Sequence, residues 1–86
     1  MPQVSSFYGI VITMYFGDHA PPHFHARYGE EGAKIGIEGG EVLAGSLSRR
    51  VLRLVRRWAA LHRAELEANW RSVIQNQQPE WIEPLP

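Results

Sequence analysis

No cysteine occurs among the 86 residues of this chain. That absence excludes disulfides, thiolate zinc sites and thiol catalysis, and it agrees with a reducing cytosol. A chain this short buries only about 60 to 65% of the surface its unfolded form exposes, so its core is thin. With disulfides excluded, a metal or a partner subunit remains as reinforcement. Long apolar runs are also missing. The longest near-apolar stretch, FYGIVITMYF, is far short of a membrane span. No basic segment followed by an apolar run opens the chain, so no signal peptide is expected. The expectation is a cytoplasmic protein without membrane contact.

Net charge is absent as well, but only as a sum. Residues 1–46 carry Arg27 and Lys34 against Asp18, Glu30, Glu31, Glu38 and Glu41, a balance of −3. Residues 47–86 carry seven arginines against four glutamates, a balance of +3. An acidic half joined to a basic half points to partner binding rather than to any particular fold.

No repeat, low-complexity tract or linker divides the chain, which predicts one domain over 1–86. Its parts are a β meander over 1–46, a helical region over 47–76 and an extended tail over 77–86. Residues 10–16, IVITMYF, are β-branched and aromatic, with Ile10, Ile12, Met14 and Phe16 pointing one way. In HFHARY, Phe24, Ala26 and Tyr28 alternate with His23, His25 and Arg27. GEEG reads as a four-residue turn into AKIGIE, and Gly39–Gly40 as a tight hairpin into EVLA. This predicts Tyr28 opposite Ala33, Ala26 opposite Ile35, Phe24 opposite Ile37, His25 opposite Gly36 and His23 opposite Glu38. Around the second turn, Glu38 faces Glu41, Ile37 faces Val42 and Ile35 faces Ala44. Both turns assign the same residues to the same face.

After Ser46 the period becomes helical, with Val51, Leu54, Val55, Trp58, His62, Leu66 and Val73 on one stripe. Ser46 or Ser48 can act as N-cap. As one rod, residues 49–75 would run about 40 Å, longer than a small domain is wide. A kink near His62–Ala64 is therefore expected, or a homodimer that uses the length, although no proline or glycine marks a break. The architecture is α+β: an antiparallel three- to four-stranded meander with one face covered by an amphipathic helix or kinked helix pair.

The stretch DHAPPHFHAR holds three of the four histidines. His23 and His25, two apart on a strand, share a face. With Glu38 and Glu41 in the predicted register, and His19 beside Asp18 at the turn before Pro21–Pro22, they form a candidate site for zinc or nickel, its ligand candidates His19, His23, His25, Glu38 and Glu41. Gly36 leaves a gap where a ligand could sit. The same His23, His25 and Glu38 could perform acid–base chemistry. The plainer alternative is a half-exposed sheet whose solvent side carries these polar residues, with His23 paired to Glu38. His62, on the apolar stripe, reads as a hydrogen-bonded core residue. Arg49, Arg50, Arg53, Arg56 and Arg57 cover the opposite helix face; two lie at the helix N-terminus, where the macrodipole opposes cations. Phosphates of nucleic acid, or an acidic partner, would neutralise them. Trp81, Ile82 and Leu85 either pack on the sheet edge or dock into a partner.

Three segments, SSFYGIVITMYFGDHAPPHFHARYGE, IEGGEVLAGSL and RRVLRLVRRWAALHRAELEANW, together resemble the small bacterial domain-of-unknown-function family number four-one-six-zero. Ser48 departs from the family pattern, which often has proline after leucine there. The resemblance supplies no catalytic residue. It implies one member of a toxin–antitoxin-like or paired regulatory module, whose partner is a cognate small protein from a neighbouring gene. Three functions follow as expectations. One is a binding protein using the arginine helix for that partner or for nucleic acid. The second is a small ribonuclease-like toxin using His23, His25 and Glu38, and the third is a metal-binding module at the same cluster.

Overall fold

A computed structural model describes residues 2–86. Five strands, β1 (Gln3–Phe7), β2 (Ile10–Thr13), β3 (His23–Tyr28), β4 (Glu31–Gly36) and β5 (Val42–Ser46), precede two helices, α1 (Arg49–Leu61) and α2 (Arg63–Val73). The strands form one antiparallel sheet in the order β1-β2-β3-β4-β5. The α+β meander expected from the sequence is present, with one or two more strands than expected. The additional strand, β1, carries serines between Val4 and Phe7, which hides its alternation. It is joined to β2 by Tyr8–Gly9, both at positive φ (51° and 80°), the combination a two-residue type I′ hairpin requires.

One face of the sheet is covered. Ile10, Ile12, Met14, Phe24, Ala26 and Ile35 are buried beneath Val51, Val55 and Trp58 of α1 and Leu66, Trp70 and Val73 of α2. Trp58 meets Phe24 edge-on at 5.6 Å and Phe7 at 5.4 Å, and its indole N–H donates to the Glu83 carbonyl. Phe16 falls outside this pattern: β2 ends at Thr13, and Phe16 is exposed.

Register is where expectation and structure part. Tyr28 pairs with Glu31, Ala26 with Ala33, Phe24 with Ile35, His25 with Lys34 and His23 with Gly36. The loop is two residues, Gly29–Glu30, with Gly29 at φ 59°, rather than four. Shortening a hairpin by two residues moves every partner by two. Because side chains alternate with period two, the faces survive and only the partners change. On β5 an irregularity at Lys34/Ile35 adds a further shift. Val42 pairs with Ile35, and Ala44 pairs with Lys34 on the uncovered face, instead of with Ile35.

The helical stretch is broken at His62 (φ −119°, ψ 29°). A straight rod of about 40 Å would overrun a molecule whose longest dimension is 33 Å. Ser48 caps α1, its hydroxyl accepting from the Val51 N–H at 3.4 Å. At the break, His62 Nδ1 lies 2.6 Å from Glu65 Oε1, which places a carboxylate in the first turn of α2, where the dipole favours it. His62 is thus hydrogen-bonded and partly buried.

The tail is a strap. The Ile82 N–H donates to the Val4 carbonyl at 2.7 Å, closing the outer edge of β1. Buried Asn69 grips Glu80 by both backbone groups, each at 2.9 Å. Ile82 and Leu85 are buried, while Trp81 is exposed. Among the described residues no helix is long and apolar enough to cross a membrane.

A candidate metal centre at the end of the sheet

Residues 14–22 carry the chain from β2 to β3 along one end of the sheet. After Met14, whose N–H donates to the Pro2 carbonyl, this loop is pinned at two further points: the Gly17 N–H donates to the Val73 carbonyl at the end of α2, and the Pro22 carbonyl accepts from the Ile37 N–H. Gly17 is at φ 66°, a conformation that glycine adopts without cost. The two anchors bring Asp18 over the start of β3. There Asp18 Oδ2 lies 2.8 Å from His23 Nε2 and 3.4 Å from His25 Nε2. Its other oxygen accepts the His19 backbone N–H at 3.0 Å.

His23 is not on the solvent side of a half-exposed sheet. It stands at the first position of β3, where its ring turns against Trp70 of α2 at 5.2 Å and is 1% exposed. His25 stands on the uncovered face, with Tyr15 edge-on at 4.5 Å and His23 at 5.2 Å. Asp18, His23 and His25 each offer one ligand atom, and these atoms lie within 4.8 Å of one another.

His23 also poses a hydrogen-bonding problem. Its Nδ1 is 2.7 Å from the Pro21 carbonyl oxygen, which can only accept, so Nδ1 must carry a proton and donate it. Its Nε2 faces the Asp18 carboxylate, which when ionised also only accepts. A neutral imidazole has one N–H and cannot serve both. Balance requires a second proton on His23, a proton on Asp18, or a cation where the three ligand atoms converge.

The electrostatics weigh against a proton on Asp18. Burial would raise its carboxyl, but the His19 N–H, the field of His23 and the bonds to both imidazoles outweigh it, leaving Asp18 below the ordinary 3.8. His25 is pushed below the ordinary 6.5, first by burial and then by the fields of His23 and Lys34, against the opposing pull of Asp18. A depressed imidazole is a neutral one at pH 7, and neutral imidazole is the ligand form.

Glu38 and Glu41 do not join the cluster. Gly36, not Glu38, stands opposite His23. The Gly36 N–H donates to the Glu41 carbonyl, and the Gly40 N–H to the Gly36 carbonyl. These bonds close a tight turn that carries Glu38 into solvent, 4.0 Å from Arg63. The expected gap at Gly36 is filled, because the Glu41 side chain folds over it. The His23/His25/Glu38 arrangement is therefore not assembled. His19 is exposed and contributes its backbone N–H rather than its imidazole. Asp18 replaces all three. Its signal was its place beside the proline turn, legible in the sequence, although the ligand partners were sought across the sheet.

The arginines separate. Arg56 donates through Nε to the Gly40 carbonyl at 2.7 Å. Arg50, Arg53 and Arg57 line a groove of about 310 Å³ with Tyr8, Leu54, Leu85 and Pro86. Arg49 is exposed at the start of α1. Among the described residues, none of these five arginines has a carboxylate within 4.0 Å.

An open antiparallel sheet, backed by a helix pair and bearing an Asp/His/His cluster at its end, defines a small α+β domain. This chain belongs to the family described as Domain of unknown function (DUF4160), whose model matches residues 9–71. The matched span contains Asp18, His23, His25 and all five arginines of α1. No curated protein and no solved structure matches the chain.

Proposed function

We propose that this chain binds a divalent transition metal, zinc or nickel, through His23 Nε2, His25 Nε2 and Asp18, and acts as a metal-dependent binding module. The observation that carries the proposal is the convergence of three ligand atoms within 4.8 Å of one another, around a His23 whose two ring nitrogens both face acceptors, an arrangement that a cation or a second proton on His23 balances. A cation at the convergence point satisfies three lone pairs together. It leaves Nδ1–H donating to the Pro21 carbonyl, the outer hydrogen bond that metal-bound imidazoles almost always make. In a tetrahedral site with metal–ligand bonds of about 2.0–2.1 Å, ligand atoms stand about 3.3 Å apart; the two contacts to Asp18, 2.8 and 3.4 Å, fall around that value, and all three ligand atoms lie within 4.8 Å of one another. Three protein ligands leave a coordination position open, as catalytic and exchangeable sites do. The test is thermal melting of wild type and His23→Ala with and without zinc or nickel. A metal-dependent rise confined to wild type supports the reading, and no rise in wild type rejects it.

A second surface supports a role in a two-component module. Arg50, Arg53 and Arg57 converge on one groove with no acidic residue lining it, which suits the phosphates of nucleic acid or an acidic face of a cognate small protein. Co-purification of the neighbouring gene product with wild type, but not with an Arg53→Glu/Arg57→Glu variant, tests that reading.

A further inference from the structure

The uncovered face of the sheet holds a groove of about 550 Å³ running away from His25. Its floor is built by register. Thr13, His25, Lys34 and Ala44 lie side by side across four strands, and Val11, Arg27, Gly32 and Ser46 form the next row. Gly32 opposite Arg27, and Ala44 opposite Lys34, keep the floor low where the two long cationic side chains rise. Tyr15 and Val11 supply apolar lining.

The placement of charge is informative. Residues 1–46 contain two cationic side chains other than histidine, Arg27 and Lys34. Both line this groove, while no Asp or Glu does. The acids of the same half are elsewhere: Asp18 in the histidine cluster, Glu31 accepting from the Ser48 N–H, and Glu38 beside Arg63. Among the described residues, neither Arg27 nor Lys34 has a carboxylate within 4.0 Å. An acidic half whose two cations line one concavity that no Asp or Glu lines complements an anion. The volume falls within the range of about 300–1,000 Å³ typical of small-molecule sites.

We infer that this groove binds a free nucleotide, with the phosphate held by Arg27 and Lys34 and the planar base laid against Tyr15 and Val11. A guanidinium fork and an ammonium together match a phosphate dianion. This site goes beyond the metal reading and does not depend on it. It is distinct from the arginine groove of α1.

The test is calorimetric titration of the full chain, metal-free and zinc-loaded, with adenosine 5′-monophosphate, adenosine, inorganic phosphate and an adenosine hexanucleotide. Zinc content is measured on the same samples, so failure of the metal site registers separately. The expected result is binding of the monophosphate in either form and about tenfold weaker or no binding of adenosine. Arg27→Gln and Lys34→Gln should each weaken binding by about tenfold or more, as loss of one charged hydrogen bond implies. Arg27 is exposed and Lys34 half-buried on the uncovered face, and among the described residues neither makes an ion pair, so melting temperatures should be nearly unchanged, which separates lost binding from lost folding. Equal affinity for adenosine, unaltered affinity in both variants, or no binding in either form overturns the inference. A hexanucleotide bound ten times more tightly than the monophosphate also overturns it, in favour of an RNA strand.

Discussion

Replacing Asp18 with asparagine separates ligation from architecture, because the amide can reproduce every hydrogen bond of the metal-free site. In the same rotamer, the amide oxygen would accept the His19 N–H and the amide nitrogen would donate to His23 Nε2, whose lone pair then has a partner. With no buried polar group orphaned, the metal-free fold should change by less than about 1 kcal/mol. The metal-bound protein should behave quite differently, since an amide nitrogen carries no lone pair for a cation. Wild type at a metal concentration of about 100 Kd gains roughly 2.7 kcal/mol by mass action. For a domain of this size that raises Tm by about 11–22 °C. Loss of outer-shell groups alone costs about 10- to 100-fold in affinity; at the upper end, the same metal concentration stabilises Asp18→Asn by only about 0.4 kcal/mol, or some 2–3 °C. Differential scanning fluorimetry with and without zinc, beside a metal-free urea titration, reads both quantities. An undiminished zinc shift in Asp18→Asn would refute the ligand assignment. A metal-free loss above about 2 kcal/mol would instead make Asp18 a structural ion-pair partner.

Acidification should destabilise the metal-free chain. His25 and Asp18 both sit below their ordinary values in the fold, so the unfolded chain binds more protons, and stability falls as pH drops below about 6.5 and again below about 3.8. Urea unfolding across that range should show the first loss in wild type and not in His25→Gln; stability that rises on acidification from pH 7 to 5 contradicts the assignment. Asn69→Ala removes both bonds to Glu80 and should cost about 1–3 kcal/mol in urea unfolding, whereas a cost under about 0.5 kcal/mol would mean the strap holds without it. If the α1 groove binds nucleic acid, affinity should fall steeply with salt. Arg53→Glu/Arg57→Glu should then abolish binding with Tm nearly unchanged, and unaltered binding would return these arginines to the solvated surface.

The fold was largely legible because its signals are periodic. Alternation in HFHARY and the stripe from Val51 to Val73 survive modest errors of register, and length called for either a kink near His62–Ala64 or a homodimer, of which the chain shows a break at His62. β1 was hidden by its serines, and the strand partners by a loop read as four residues instead of two. That slip matters little to a core, where any apolar neighbour on the correct face will serve. It matters fully to a site, because it exchanged Gly36 for Glu38 opposite His23. His23 and His25 were visible as a pair from their spacing. Asp18 was visible only as a neighbour of His19 at the preceding turn, and not as their partner, because it is delivered by a loop tied to Val73 and Ile37, contacts that no local pattern encodes. The burial of His23 beneath Trp70 was equally invisible, since alternation assigns a side chain to a face and says nothing of the helix that wraps the strand's end.

Whether His23, His25 and Asp18 hold one metal ion is decided by the ion's own coordination shell. X-ray absorption at the zinc edge, on protein loaded with one equivalent, reads the coordination shell directly. The expected shell has two imidazole ligands at about 2.0–2.1 Å, with their outer-ring scattering, together with oxygen donors, and the imidazole signal should be lost in His23→Ala/His25→Ala. A shell of oxygen alone, or a spectrum unchanged by that variant, would contradict that ligation.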